Sequence, residues 1–559
     1  MGLEHATTIV EALAALPRGE ARGYTFRGVD GSERYYCFEA VEREARQRAA
    51  RYANAGLNPG DRVALVVADP AEFVLSFLGA VIGGFVPVPI YPRASFKARN
   101  AYVDTVGHIA RAAGARALLT MEATLAVLEP VTAAPDGPEK VLVLERFLEG
   151  EAPTFEPPEI APDDPCFLQF TSGSTSMPKG VVVTHRNLVQ NARDFLGPHG
   201  LDRRPEDVGL SWLPLYHDMG LIGFMLGTLV CDIPTYFVPT EAFARRPGMW
   251  LELISEKRAT ITFAPNFGYA LATKRARDRD LAGLDLSCVR IAGCGAEPIN
   301  PDVMRAFADR FRPAGFDPGA LLPCYGMAEA TLAITFTKHG GGFQTDRVDA
   351  SQLRRRRATP AGPDADGTVE LVSCGSPFPS TSLSIVDGQG RACGERQVGE
   401  VVVRGPGVTP GYFNNPEATE AAFRDGTLCT GDLGYVADGQ LYICGRQKDL
   451  IIIRGANLHP QDIEWSVAEV PGVRRDNVVA FSSLIDGEEQ LVIAAEGNSK
   501  DAPELRKSVA TRVAERHSLK VAHVAVVRLG SLPKTSSGKV QRRRTRELFE
   551  DGQLEEHGE

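Results

Sequence analysis

No CxxC pair occurs in this chain of 559 residues, although it holds ten cysteines. Scattered single thiols exclude a disulfide framework or a cysteine-built metal cluster, and they fit reduced thiols inside a cytosolic protein. The opening Met1-Gly2-Leu3-Glu4-His5-Ala6 lacks a basic segment followed by an apolar one, so the expected location is the cytoplasm. Long apolar runs are missing too. The longest, at 76–90, is broken by Gly83, Gly84, Pro87 and Pro89 and is too short to span a bilayer. Positive charge is in deficit, with 61 Lys and Arg against 71 Asp and Glu, and the net charge of −10 argues against nucleic acid as a partner. There is no 20–50-residue repeat and no GxxxxGK[ST] phosphate loop.

What the chain does contain is a dense polar turn at 171–180, Thr-Ser-Gly-Ser-Thr-Ser-Met-Pro-Lys-Gly, after the apolar run 166–170. Gly173 and Gly180 permit backbone shapes that aim N–H groups at a ligand, the hydroxyls add hydrogen bonds, and Lys179 adds a point charge suited to polyphosphate. A plain polar surface loop has the same composition. Upstream, apolar periodicity predicts helices at 38–52, 71–82 and 102–113, and strands at 62–67, 86–90, 117–120 and 141–144. That alternation predicts a largely parallel sheet covered on both faces, with ligands beyond the carboxyl ends of its strands.

Downstream, 211–221 embeds His217 and Asp218 in core-like sequence; the pair reads either as a structural contact or as part of a site. A strand at 261–265 leads into a helix at 266–275, and a strand at 289–292 ends in the turn Gly293-Cys-Gly-Ala-Glu-Pro298, where backbone could approach a flat ring. Glu329, within Cys324-Tyr-Gly-Met-Ala-Glu-Ala-Thr331, could serve Mg²⁺, which favours one or two carboxylates plus substrate oxygens. Residues 338–372 read as a partly ordered insertion, with the run Arg354-Arg355-Arg356-Arg357 as a solvated loop. Strands follow at 382–386 and 399–404, then a hairpin at 435–444 turning on Asp438-Gly439. From 450 onward, strands at 450–453, 478–483 and 490–495 and helices at 460–470 and 502–515 describe a compact α+β unit.

Five stretches in order, TSGSTSMPKG, YGMAEAT, TGDLG, GRQKDLIIIRG and PKTSSGKVQR, make the chain resemble the adenylate-forming superfamily from about residue 10 to about 550. LPLYHDMGLIG, APNFGYAL, VSCGSP and NLHPQDIE, with an insertion after YGMAEAT, are similar to the fatty acyl-AMP ligases. The resemblance implies an α/β fold. A large N-terminal adenylation domain of βαβ-type sheets with a β-rich subdomain would span 1–447, and a small mobile α+β C-terminal domain 448–559. It also implies a monomer that uses ATP and Mg²⁺ to activate a fatty acid and passes it to the phosphopantetheine arm of an acyl carrier protein.

By the same resemblance, Thr171, Ser172, Gly173, Ser174, Thr175 and Lys179 would embrace pyrophosphate. Gly295, Ala296 and Glu297 would border adenine, with Tyr325, Gly326 and Met327 close to the nucleotide. Glu329 would bind Mg²⁺, Asp432 the ribose hydroxyls and Arg446 the ribose or phosphate, while Lys448 would sit at the hinge. Lys539 would contact the carboxylate and α-phosphate. His217 would position groups between the acyl tunnel and the phosphate, and Asn266, Phe267 and Tyr269 would line that tunnel. Ser176, Cys294 and Cys429 depart from common family residues, yet none removes a charged group. A fatty acyl-CoA ligase is the nearest alternative, and a non-catalytic binding protein the alternative of another class.

Overall fold

The computed structural model describes residues 5–92, 99–171, 177–363, 365–453, 456–475, 477–485, 488–517, 519–535 and 538–558. The expected parallel sheet is present, with strands in the order Val86–Pro89, Arg62–Val66, Ala115–Thr120, Lys140–Val143. Helices Phe38–Asn54 and Pro70–Ile82 pack on it. The second begins where predicted because Asp69 accepts the Glu72 N–H and Pro70 occupies the first turn. Gly79 lets the two helices meet, since a Cβ there would lie 2.6 Å from the Cβ of Arg48.

The larger sheet is mixed. Its nine strands run Ser376–Pro377, Ala333–Phe336, Leu321–Gly326, Ile291–Cys294, Ile261–Ala264, Gly209–Ser211, Thr235–Phe237, Gly23–Arg27, Glu33–Cys37. The centre is parallel, while antiparallel hairpin partners close both ends. Parallel central strands need both faces covered, and Ile261–Ala264 and Ile291–Cys294 are accordingly buried along their whole length.

The described residues of the insertion are ordered, contrary to expectation. Thr345–Asp349 and Thr368–Val372 form an antiparallel pair, and Asp349 caps the short helix Ala350–Leu353. Val348, Leu353, Ala358 and Leu371 pack with Tyr435 and Cys444 of a distant hairpin, so the apolar face that orders this segment lies outside its own sequence. Nor is Arg354 simply solvated: its guanidinium donates to the His517 carbonyl at 3.3 Å.

After Ile451, strands Val478–Ile485, Glu488–Glu496 and Val521–Val527 form one sheet. Alternation divides its faces. Val478, Ala480, Leu491 and Ile493 join one cluster with residues of the helices Pro460–Ala468 and Ala502–His517, while Val479, Phe481, Val492 and Ala494 face the opposite way, toward Phe549 of the helix Arg542–Glu550.

Candidate active site

A continuous cavity of ≈ 3330 Å³ lies against the carboxyl ends of Pro165–Thr171 and Leu321–Gly326 and extends to the C-terminal unit. Its best-fixed part is a hairpin longer than sequence predicted, Thr427–Ala437 with Gln440–Arg446, turning on Asp438 and Gly439, both at positive φ. Asp432 and Arg446 are partners across this hairpin. Arg446 Nε donates to Asp432 Oδ1 at 3.1 Å, and the Tyr325 hydroxyl donates to Oδ2 at 2.7 Å. Both oxygens of a buried carboxylate are thus held in place. The next residue after Tyr325 must be glycine, because a Cβ on Gly326 would fall 1.9 Å from the Leu332 carbonyl oxygen.

Glu329 anchors a second group. The Tyr412 hydroxyl donates to Glu329 Oε1 at 2.7 Å, and Lys179 Nζ lies 5.1 Å from the centroid of the Tyr412 ring. Burial raises the Glu329 carboxyl above its usual range, with the Tyr412 hydrogen bond opposing that shift. Thr171 pairs with Lys179 across the hairpin of Pro165–Thr171 and Lys179–Thr184. Ser172, Gly173, Ser174 and Thr175 lie outside the described residues.

His217 and Asp218 lead into a π-helical stretch, Met219–Leu226, whose first N–H Asp218 accepts at 2.8 Å. Burial pushes the imidazole down to about 4, so His217 is neutral at pH 7, although Asp218 acts in the opposite direction. Lys539 arrives from the C-terminal unit and donates to the carbonyl oxygen of Ala296, a residue held at φ +69. Met327 and Lys448 also line the cavity, and the backbone at Gly295 packs against Cys324, whose Sγ a Cβ would meet at 2.7 Å.

One wall comes from the helix Asn266–Arg275. Asn266 and Phe267 line the cavity; Glu297 Oε1 accepts the Phe267 N–H at 2.8 Å, and Asn266 accepts from Asn300 N at 3.1 Å. Tyr269 turns the other way. It is fully buried, donates to the Gly293 carbonyl at 2.8 Å and meets Trp250 edge-on, so it supports the wall instead of lining it. The reason is helical spacing: 267, 270 and 271 share the cavity face, and 269 falls on the opposite one.

Residues 17–413 match the family model described as AMP-binding enzyme, and residues 448–559 the one described as Disco-interacting protein 2-like, AMP domain. The chain belongs to the AMP-binding enzyme family. This AMP-binding enzyme is 37% identical over 512 residues to a Caulobacter vibrioides protein named as an acyl-CoA synthetase, a match covering 90% of this chain and 89% of the relative. It is 34% identical over 516 residues to the medium-chain-fatty-acid acyl-carrier-protein ligase JamA of Moorena producens, covering 89% and 87%. Among solved structures it superimposes with a TM-score of 0.93 on one from a study of fatty acyl-adenylate ligases of E. coli and L. pneumophila. That match has 33% identity and covers 99% of each chain.

Tyr412 is the site residue that sequence reasoning missed. It lies in Gly411-Tyr412-Phe413-Asn414, a turn with no charge, and it reaches the site through a bridge from Tyr412 to Val181. The nearest sequence signal was a pair of aromatics beside glycine, which is not specific.

Proposed function

We propose that this AMP-binding enzyme is a fatty acyl-AMP ligase. It joins a fatty acid to the α-phosphate of ATP, releases pyrophosphate, and passes the acyl group to the phosphopantetheine thiol of an acyl carrier protein. The observation that carries this reading is the meeting of Lys539, Glu297, His217 and the Asp432–Arg446 pair around one cavity that also runs between apolar side chains such as Phe224, Phe263 and Phe336.

In the first step a carboxylate oxygen attacks the α-phosphorus while the bond to pyrophosphate breaks. The nucleophile is already ionised at neutral pH, so no base has to remove a proton. The barrier is the approach of two anions, and fixed cations lower it. Lys539 supplies one beside the α-phosphate, and Lys179 another for the departing pyrophosphate. Asp432, immobilised by Tyr325 and Arg446, receives the ribose hydroxyls and sets the line of attack. Neutral His217 positions groups and moves no proton. Glu329 fits Mg²⁺, because a desolvated carboxylate on the cavity wall, with one oxygen already on Tyr412, gains from a cation that otherwise takes substrate oxygens. When bound there, Mg²⁺ would neutralise phosphate charge. In the second step the thiol sulfur attacks the acyl carbonyl, AMP leaves with the electron pair, and the thiol proton goes to solvent.

The reading divides the chain at 447/448, with Lys448 at the hinge and the C-terminal unit carrying Lys539. Purified protein incubated with Mg-ATP and a ladder of fatty acids, then with CoA or holo carrier proteins, tests it by mass spectrometry. Acyl-AMP that ignores CoA and loads a carrier protein supports it. Robust acyl-CoA moves the chain to the acyl-CoA ligases, the activity in the name of the Caulobacter relative. Absence of any adenylate overturns both.

A further inference from the structure

Three glycines, Gly220, Gly223 and Gly227, punctuate the helical wall 219–230 of the cavity. Two of them are dictated by packing within the protein. A Cβ on Gly220 would strike the Pro214 carbonyl, and one on Gly227 would lie 2.6 Å from Cζ of Phe195. Gly223 is different. Apart from its own helix, a Cβ there would meet only Cδ2 of Leu332, at an ordinary contact distance of 3.5 Å. Its backbone is helical, where glycine costs stability instead of relieving strain. The space in front of Gly223 belongs to the cavity, which both Gly223 and Leu332 line.

This branch of the cavity runs from charged groups into the core. Its mouth lies at His217, Asn266 and Ala296, where Lys539 arrives. Deeper in, the rings of Phe224 and Phe336 each stand 6.0 Å from that of Phe263. At the far end are Thr228, Ile233, Ile261 and Gly209, the last two paired across neighbouring parallel strands. The Thr228 hydroxyl is engaged by the Phe224 carbonyl, so it makes no demand on a ligand. Leu201 lines the floor, its carbonyl held at 2.7 Å by Arg290, which is locked at 2.6 Å to buried Asp207. The helical wall from Met219 to Thr228 and the strand wall from Ile261 to Asn266 both give a depth of about 13–16 Å, room for an extended alkyl chain of about ten to twelve carbons.

We infer that the acid taken here is an alkyl acid of about ten to twelve carbons, and that Gly223 sets this length by leaving the passage to the floor open. The inference rests on the fatty acyl-AMP ligase reading for the fate of the acid, not for its length. The competing explanation is a glycine kept only for local backbone geometry, whose replacement would lower stability without changing chain-length preference.

The test uses the full chain and the even-numbered acids from hexanoate to hexadecanoate. Calorimetry without ATP reads affinity, and acyl-AMP formation with Mg-ATP reads kcat/KM. Each methylene that enters the branch should tighten binding about fourfold, and the gain should stop near dodecanoate. Gly223→Leu blocks the passage about half-way down, so the dodecanoate-to-hexanoate ratio should fall about 10²–10³-fold in both measurements. Should that variant fail to fold, Gly223→Ala is read in the same way, with a fall of about fivefold. An unchanged ratio overturns the inference, as does a wild-type affinity that still climbs at hexadecanoate. Equal rates of acyl-AMP formation along the ladder, in wild type and variant alike, overturn it while upholding the adenylation reading. Length-dependent binding that Gly223→Leu removes, in a protein that forms no adenylate with any acid, upholds Gly223 as the length determinant and overturns the adenylation reading instead.

Discussion

The two sides of the cavity are built differently. On one side, Asp432, Tyr325 and Arg446 belong to strands of the large unit and lock one another with hydrogen bonds at 2.7 and 3.1 Å. On the other side, Lys539 follows residues outside the described set and rests on the Ala296 carbonyl, with no carboxylate hydrogen-bonded to its Nζ among the described residues. The first arrangement is preorganised and stays the same through the proposed reaction. The second rests on a single backbone acceptor and is easily exchanged.

Replacing Lys539 with alanine should break the exchangeable side outright. Acyl-AMP formation is expected to fall by about 10²–10³, with the melting temperature unchanged and acyl transfer from supplied acyl-AMP retained; a quenched-flow or pyrophosphate-release assay measures it. Asp432→Ala attacks the fixed side and should raise the KM for ATP about 10–100-fold, because it removes charge-assisted hydrogen bonds worth about 1.5–3 kcal/mol. Unlike the lysine variant, it should also lower stability in a denaturant titration by about 1–3 kcal/mol, since the buried Tyr325 hydroxyl loses its partner. Tyr412→Phe leaves both sides in place and removes one hydrogen bond to Glu329. A loss of about fivefold in kcat/KM, most evident at low Mg²⁺, is expected from about 1 kcal/mol.

The smallest effect concerns the unit that delivers Lys539. Asp462 of the helix Pro460–Ala468 is pushed up to about 7 by burial, with the nearby Arg354 of the insertion pulling in the other direction. Its folded-state value lies above the unfolded one, so its contribution to stability is full below the unfolded pKa and is lost as pH rises through about 7. Calorimetry should find the melting temperature of the C-terminal unit declining from mildly acid to mildly alkaline pH, and Asp462→Asn should flatten that decline.

Much of this architecture was readable from local pattern. Strands such as Arg62–Val66 and helices such as Pro70–Ile82 carry their periodicity and caps in their own residues. The order in the insertion was not readable, because Val348 and Leu371 find their apolar partners in Tyr435 and Cys444, far along the chain. The hairpin extends beyond its predicted ends because the glycines and the aspartate of Thr430-Gly431-Asp432-Leu433-Gly434 hid a strand that a bulge accommodates. Tyr269 was placed on the wrong face of a helix whose start had been read correctly.

The π-helical stretch Met219–Leu226 gives this chain a place where its length can change. Met219, Gly223, Phe224 and Thr228 look onto the cavity, whereas Leu221, Ile222, Met225 and Leu226 are buried in the core. That division depends on the wider turn, which takes up an extra residue. Loss of a single codon within it would let an ordinary α-helix form with the later side chains still in register, whereas the same loss from a regular α-helix would turn every later side chain by about 100°. A change of count is thus absorbed here more readily than a change of letter at Gly220, where a Cβ would lie 2.3 Å from the Pro214 carbonyl oxygen.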